Sequence, residues 1–382
     1  MESHKKNVKL YDNGIDLARV YGIFCVVYAH CYTHGFLAGT PAIVSSVYVN
    51  QLFMFLSGLF YHRENDDASF WYILRKYAQS YLFPYYLWNA IYGLLCVILN
   101  RLGLISFGSE INLNTLLLQP WGNSDQFMLN IAAWFLLTLF LVSVVNLLLR
   151  KLLLCFWLQM VRVERILLVL YFCISMATIW RLEGQSISGI FSGISRMLIL
   201  LPYYQLGISF QRLREKLHMK QRLIVGVVSG IIAIGAQYLN GSAFSCKMLY
   251  CYFSGNALLI TVASTGCVIC IIEVFGIMGQ HIAGWRWIRY ISRSTKYIML
   301  HHIFVIYLLQ FGLFCLNFIG LLPEFDVNAF RNSLWYRFDF NIPALRFPMV
   351  IIAMIAPTVL HKAAGIIYPK LKAKYRHLYC MI

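Results

Sequence analysis

An all-α, polytopic membrane protein is the fold class this sequence predicts, and three observations predict it. The 382 residues are 60% hydrophobic and only 12% charged, with a mean hydropathy of +0.66. A soluble domain carries about 25% charged residues. Runs of about 20 apolar residues, long enough to cross a bilayer as a helix, recur ten times. The cations cluster between alternate runs, as the positive-inside rule requires.

The ten expected spans are 15–36, 43–61, 80–101, 130–149, 165–182, 188–210, 222–240, 250–276, 296–319 and 345–368. The first holds Asp16, Arg19 and His30 and lacks a small-residue cleavage site, so it reads as a retained span and not a signal peptide. Between the second and third spans, residues 62–79 read as a loop that opens with His-Arg-Glu-Asn-Asp-Asp and ends in Arg75-Lys76. Two long polar connections follow on the other side, 102–129 with Trp121 and 320–344 with Trp335, Tyr336 and Arg337. Residues 281–293 read as a basic, Trp-bearing helix lying on the membrane surface. The other connections are mostly short, so residues 1–382 read as one membrane-embedded domain.

The net charge of +17 does not call for nucleic acid. With the N-terminus inside, 24 cations fall on the cytoplasmic side and 6 on the outer side. Both termini are then cytoplasmic. Arg19 and Arg196 are the two cations left, and both lie within spans. Eleven cysteines are scattered along the chain. Cys267-Val-Ile-Cys270 has metal-like spacing but no second pair, so it reads as buried thiols, and no metal is expected.

Four constellations can carry chemistry. The first is Asp16, Arg19, His30 and His34 in the first span. Ionisable groups inside a membrane are costly and point to function. Arg19 and His30 are eleven residues apart, about three helical turns, which places them on one face and about 16 Å apart. Asp16 can pair with Arg19 three residues on. An imidazole exchanges protons near neutral pH, which suits a general base, and it can also act as a nucleophile. The competing reading is a polar seam between helices. The second constellation is Arg75-Lys76, which can hold phosphate groups or can simply fix topology and touch anionic lipid. The third is Arg196 in Ser-Arg196-Met-Leu-Ile-Leu-Leu-Pro202-Tyr-Tyr-Gln-Leu-Gly207, an intramembrane Arg needing a partner, either a ligand or a carboxylate or lipid headgroup. The fourth is the set Trp121, Trp335 and Tyr336, able to stack on sugar rings or to form an interfacial belt.

Together these segments resemble acyltransferase family 3. Ile15-Asp16-Leu-Ala-Arg19 with Val26-Val27-Tyr-Ala-His30 resembles its opening motif, a cation, ten residues, then His. Gln51-Leu-Phe-Met-Phe-Leu-Ser57-Gly58 resembles its apolar Ser-Gly segment. Arg75-Lys76 before Phe83-Pro84-Tyr85-Tyr86 resembles its basic-then-Pro approach to the third span. Trp134-Phe-Leu-Leu-Thr resembles its fourth-span motif, and Arg196 with Leu201-Pro202 its sixth. Ser294-Thr295 through His302 resembles its late Ser-Thr…His motif. Lys296, Tyr297 and His301 depart from the small or apolar residues usual there. The nearest flavour is the branch that resembles fucose 4-O-acetylases.

The resemblance implies a membrane O-acetyltransferase. Acetyl-CoA is the expected donor, and a bacterial surface glycan (O-antigen, capsule, exopolysaccharide or a lipid-linked precursor) the expected acceptor. The bacterial inner membrane is the expected location. His30, Arg19 and Asp16 are the expected catalytic group. Arg75, Lys76 and Arg19 are the expected donor site. His34, Trp134, Arg196 and His302 are further core candidates. The competing classes are a transporter or flippase for a lipid-linked sugar and an inactive scaffold of a glycan-assembly complex.

Overall fold

A computed structural model describes residues 13–32, 36, 43–156, 159–281 and 285–374, with side chains as far as 363. Among the described residues the fold is helical apart from one small hairpin and an isolated bridge from Glu183 to Phe253. Eight helical stretches among the described residues are long and apolar enough to cross a membrane. They include α1 (Asn13–Cys31), α6 (Trp134–Cys155), α7 (Met160–Arg181), α9 (Met219–Asn240), α10 (Ala257–His281) and α12 (Thr295–Phe318). The other two join α4 (Phe70–Tyr77) to α5 (Phe83–Arg101), and Pro343–Leu345 to α14 (Arg346–Lys374). The two further expected spans are present in altered form. One is α2 (Val49–Leu59), apolar but only 11 residues. The other is α8 (Ile190–Lys216), 27 residues long, whose Arg196, Gln205 and basic last turn dilute its apolar character.

Outward faces are apolar. Val169 on α7 and Ile231 on α9 are exposed, as lipid contact requires. The main core lies between α2, α6, α7, α8 and α10, through Leu52, Phe55, Val142, Leu167, Ile199 and Ile260.

Two connections differ from expectation. Residues 62–79 are largely helical, not a loop: α3 (Glu64–Asp67) leads into α4. Helix α4 forms because Ile73 and Tyr77, four residues apart, bury one face while Arg75 and Lys76 stay exposed. The span expected to begin at 250 begins at Ala257 instead. The Asn256 carboxamide caps α10 there, accepting from the N–H groups of Leu258 (3.0 Å) and Leu259 (3.3 Å). Upstream, β1 (Ser245–Lys247) and β2 (Tyr252–Ser254) form an antiparallel hairpin with Ser245 opposite Ser254. The segment expected to lie on the membrane surface contains a helix, α11 (Arg286–Arg293), with Trp285 and Trp287 exposed.

Between α4 and α5 the chain widens into a π turn over Ala78–Leu82. Pro84 is the cause: it has no N–H, and its ring crowds the carbonyl four residues back. Such widened turns recur at functional sites.

Helices α2 and α8 cross at glycines. A Cβ on Gly58 would overlap the Tyr204 carbonyl, and one on Gly207 would overlap the Phe55 carbonyl. Small residues of this kind let membrane helices approach backbone to backbone. Gly58→Ala is therefore expected to cost about 1–3 kcal/mol, read as a lower melting temperature in detergent. An unchanged melt would show that the crossing tolerates a methyl group.

Candidate functional site

One large cavity of about 1110 Å³ runs through the helix bundle. Small-ligand pockets span about 300–1,000 Å³, so this one can hold an extended ligand. Its walls carry both Arg19 and His30, as their eleven-residue spacing predicts. Segments assigned to the inner side contribute His62, Lys76, Arg293 and Lys296; segments assigned to the outer side contribute Lys247, Trp335 and Arg337. No Asp or Glu lines it among the described residues.

At one end, the Arg19 guanidinium lies over the Phe60 ring, 4.3 Å from its centroid. The π turn brings Ser80 and Tyr81 to the same wall as Lys76 and Tyr77. Lys76 and Lys296 have no carboxylate partner among the described residues. Arg75, the other member of the expected basic pair, is exposed and does not line the cavity. On a helix, adjacent residues point about 100° apart, so only one of the two can face inward.

Near the other end, His30 occupies the last turn of α1. Its ring stacks on Trp335, with centroids 5.4 Å apart and planes 15° apart. On another side lies the His302 ring, at 5.1 Å. Arg337 fixes the main chain here. Its Nη2 donates to the His30 carbonyl at 2.9 Å, and its Nη1 donates to the carbonyls of Leu334 (2.6 Å) and Tyr336 (2.7 Å). Burial pulls the Arg337 guanidinium down to about 10, so it remains charged at neutral pH. A cation at a helix C-terminus also meets the negative end of the dipole. The strap carrying Trp335 is held twice more: the Phe338 N–H donates to Gln310 at 3.0 Å, and Arg346 pairs with Asp339 at 2.8 Å.

Other expected residues lie outside the cavity wall. Asp16 is buried and accepts from the Ser292 hydroxyl, tying α1 to α11. Arg196 is buried and clamps the 119–122 turn, donating to the carbonyls of Gly122 and Ser192. Its Nη2 also reaches the Ser192 hydroxyl at 3.3 Å, and its Nη1 is buried with no hydrogen-bond partner among the described residues. Its guanidinium also lies 5.4 Å from the centroid of the Trp134 ring, and Trp134 does line the cavity. His302 is fully buried behind the wall. His34 lies outside the described residues. Among the described residues no group of three or more His, Cys, Asp or Glu could hold a metal.

The residues that sequence reasoning underweighted come from far along the chain. In sequence Trp335 is one of several loop aromatics, Arg293 and Arg337 bear only on topology, and Lys296 bears on topology and departs from the late motif. The departures from the late motif have local partners. Lys296 reaches the cavity. Tyr297 stacks on His361 at 3.8 Å. The Nδ1 of His301 bonds the Tyr92 hydroxyl at 2.8 Å, beside the edge of Trp88.

No curated protein and no solved structure matches the chain. The profile of acyltransferase family 3, described as an acyltransferase domain, matches residues 12–362. That span takes in the cation-to-His helix, the cavity and the strap above it, and the chain belongs to this family as a membrane acyltransferase.

Proposed function

We propose that the protein moves an acetyl group from cytoplasmic acetyl-CoA to a hydroxyl of a bacterial surface glycan, or of its lipid-linked precursor, at the inner membrane. The observation that carries this reading is the cavity lining. Arg19, Lys76, Arg293 and Lys296 share its wall with His30 and Trp335, and no carboxylate lines it among the described residues. Phosphates need clustered cations, and an anion is repelled by carboxylates. The residues therefore fit a donor whose phosphates sit near Lys76 and Lys296. Its pantetheine arm follows α1 past Arg19, and the rise from Arg19 to His30 of about 16 Å delivers the thioester to the imidazole.

The acceptor hydroxyl attacks the thioester carbonyl carbon from the Trp335 side. His30 takes the hydroxyl proton as the C–O bond forms. The C–S bond then breaks, and the departing thiolate of coenzyme A takes that proton back. Transfer through an acyl-imidazole uses the same ring in two steps. Holding both substrates in one water-poor cavity supplies much of the rate.

The direct test compares the surface polysaccharide of cells with and without the gene by NMR. Loss of O-acetyl signals, restored on complementation, supports the reading. Intact O-acetyl signals reject it. Purified protein in vesicles that moves a lipid-linked sugar while leaving labelled acetyl-CoA unconsumed would favour carriage instead.

The donor site makes a separate prediction. Lys76→Ala and Lys296→Ala are each expected to raise the KM for acetyl-CoA about tenfold, since a hydrogen bond to a charged group contributes about 1.5–3 kcal/mol. Arg75→Ala is expected to leave it unchanged. A larger effect from Arg75 than from Lys296 would move the phosphates elsewhere.

A further inference from the structure

His302 sits on α12 with no exposed surface. Its Nδ1 lies 2.8 Å from the Ile298 carbonyl oxygen. A carbonyl only accepts, so Nδ1 carries the proton and Nε2 keeps a lone pair. That Nε2 is buried and has no hydrogen-bond partner among the described residues. A buried acceptor left unsatisfied costs about 1–3 kcal/mol, so an orphan beside a reactive group calls for a reason. The neighbouring ring is His30, 5.1 Å away between centroids with planes 38° apart.

A general base works best when a third group orients it. Carboxylates usually do this for histidine, but none lines this cavity among the described residues. Asp16, the acidic residue of α1, lies fourteen positions earlier and accepts from Ser292. Arg337 reaches the His30 carbonyl and not its ring. The ring beside the His30 imidazole is therefore that of His302, and the acceptor it has to offer is its unpartnered Nε2.

We propose that His302 is the positioning residue for His30. In the reacting state one ring N–H of His30 donates to Nε2 of His302, which leaves the other nitrogen's lone pair facing the acceptor hydroxyl. When His30 takes the hydroxyl proton it becomes an imidazolium, and its bond to His302 becomes charge-assisted and stronger. The proton then passes to the coenzyme A thiolate. His302 neither gains nor loses a proton over the cycle; its Nδ1–H stays on the Ile298 carbonyl. The α12 backbone thus sets the tautomer of His302, and His302 sets the rotamer and tautomer of His30. This inference rests on the acyl-transfer reading of the site.

Two substitutions separate positioning from packing. His302→Asn keeps a donor near Nδ1, able to bond Ile298, but removes the acceptor that faces His30. His302→Gln places a carbonyl oxygen near the Nε2 position. Positioning predicts that Asn lowers kcat about 10–100-fold, the usual effect of losing an outer-shell orienter, with the KM for acetyl-CoA unchanged. Gln is expected to stay within tenfold of wild type. His302→Asn in a His30→Ala background should cause no further loss, because groups that act as a unit are not additive. Asn matching or exceeding Gln in kcat overturns the proposal. Should neither variant fold, ¹⁵N-labelled wild type bound to an unreactive thioether analogue of acetyl-CoA gives a second reading. Nitrogen–nitrogen coupling across the His30–His302 bond is expected, and its absence overturns the proposal. Wild type that transfers no acetyl group would defeat the parent reading, whereas active wild type with an unimpaired Asn variant defeats only the role of His302.

Discussion

His30→Ala is expected to lower acyl transfer about a thousandfold, within the 10²–10⁴ range that a positioned general base contributes. The protein should still fold. Arg337 holds this turn of α1 through the His30 carbonyl, which alanine retains, and the ring faces a cavity, so little packing is lost. The check is transfer from labelled acetyl-CoA to glycan in membranes, set beside the melting temperature of the extracted protein. Arg19→Ala, in the same assay, should act mainly on donor use because its guanidinium lines the far end of the wall. Full activity in the His30 variant would reject the imidazole as the reacting group. A lost melt would show instead that the ring is structural.

The largest effect on stability is expected at Arg150. Its guanidinium makes two hydrogen bonds to Asp66, at 3.0 and 2.7 Å, with both side chains fully buried. Tyr61 donates to the same carboxylate at 2.7 Å, and Lys151 holds the carbonyls of Asp66 and Ala68. The network anchors the 62–69 segment, which places His62 and Asn65 on the cavity wall. Arg150→Met leaves the Asp66 carboxylate buried without its cation and is expected to cost about 3–5 kcal/mol. Adding Asp66→Leu should recover much of that loss, because replacing a buried pair with apolar groups is often neutral. Thermal unfolding of the single and double variants in detergent reads both terms. A double variant no more stable than the single one would show that Tyr61 and Lys151 matter more than the pair.

These two sites differ in how legible they were. The face shared by Arg19 and His30 follows from helical periodicity, a local rule that needs only the residues between them. The apolar runs located most spans for the same reason. Limits were harder. The Asn256 cap and the Pro84-induced π turn each shifted a helix, and both depend on short polar or ring contacts that hydropathy does not register. The strap was illegible in another way. Trp335 and Arg337 meet His30 from about 300 residues away, and nothing in a single sequence pairs a loop with a helix at that distance. Lys296 stood out as a departure from the family pattern, yet whether it faced ligand or lipid depended on how α12 is rotated. Arg196 was legible only in part. Its place within a span implies partners, and the ones it meets, the carbonyls of Gly122 and Ser192 and the Ser192 hydroxyl, leave no trace in composition.

The indole of Trp335 lies nearly flat over the His30 imidazole, and three polar clamps hold the strap that carries it. A water molecule arriving from that side meets an aromatic ring before it meets His30. On the proposed acyl-transfer reading, an activated acetyl group beside His30 is sheltered on that side from idle hydrolysis.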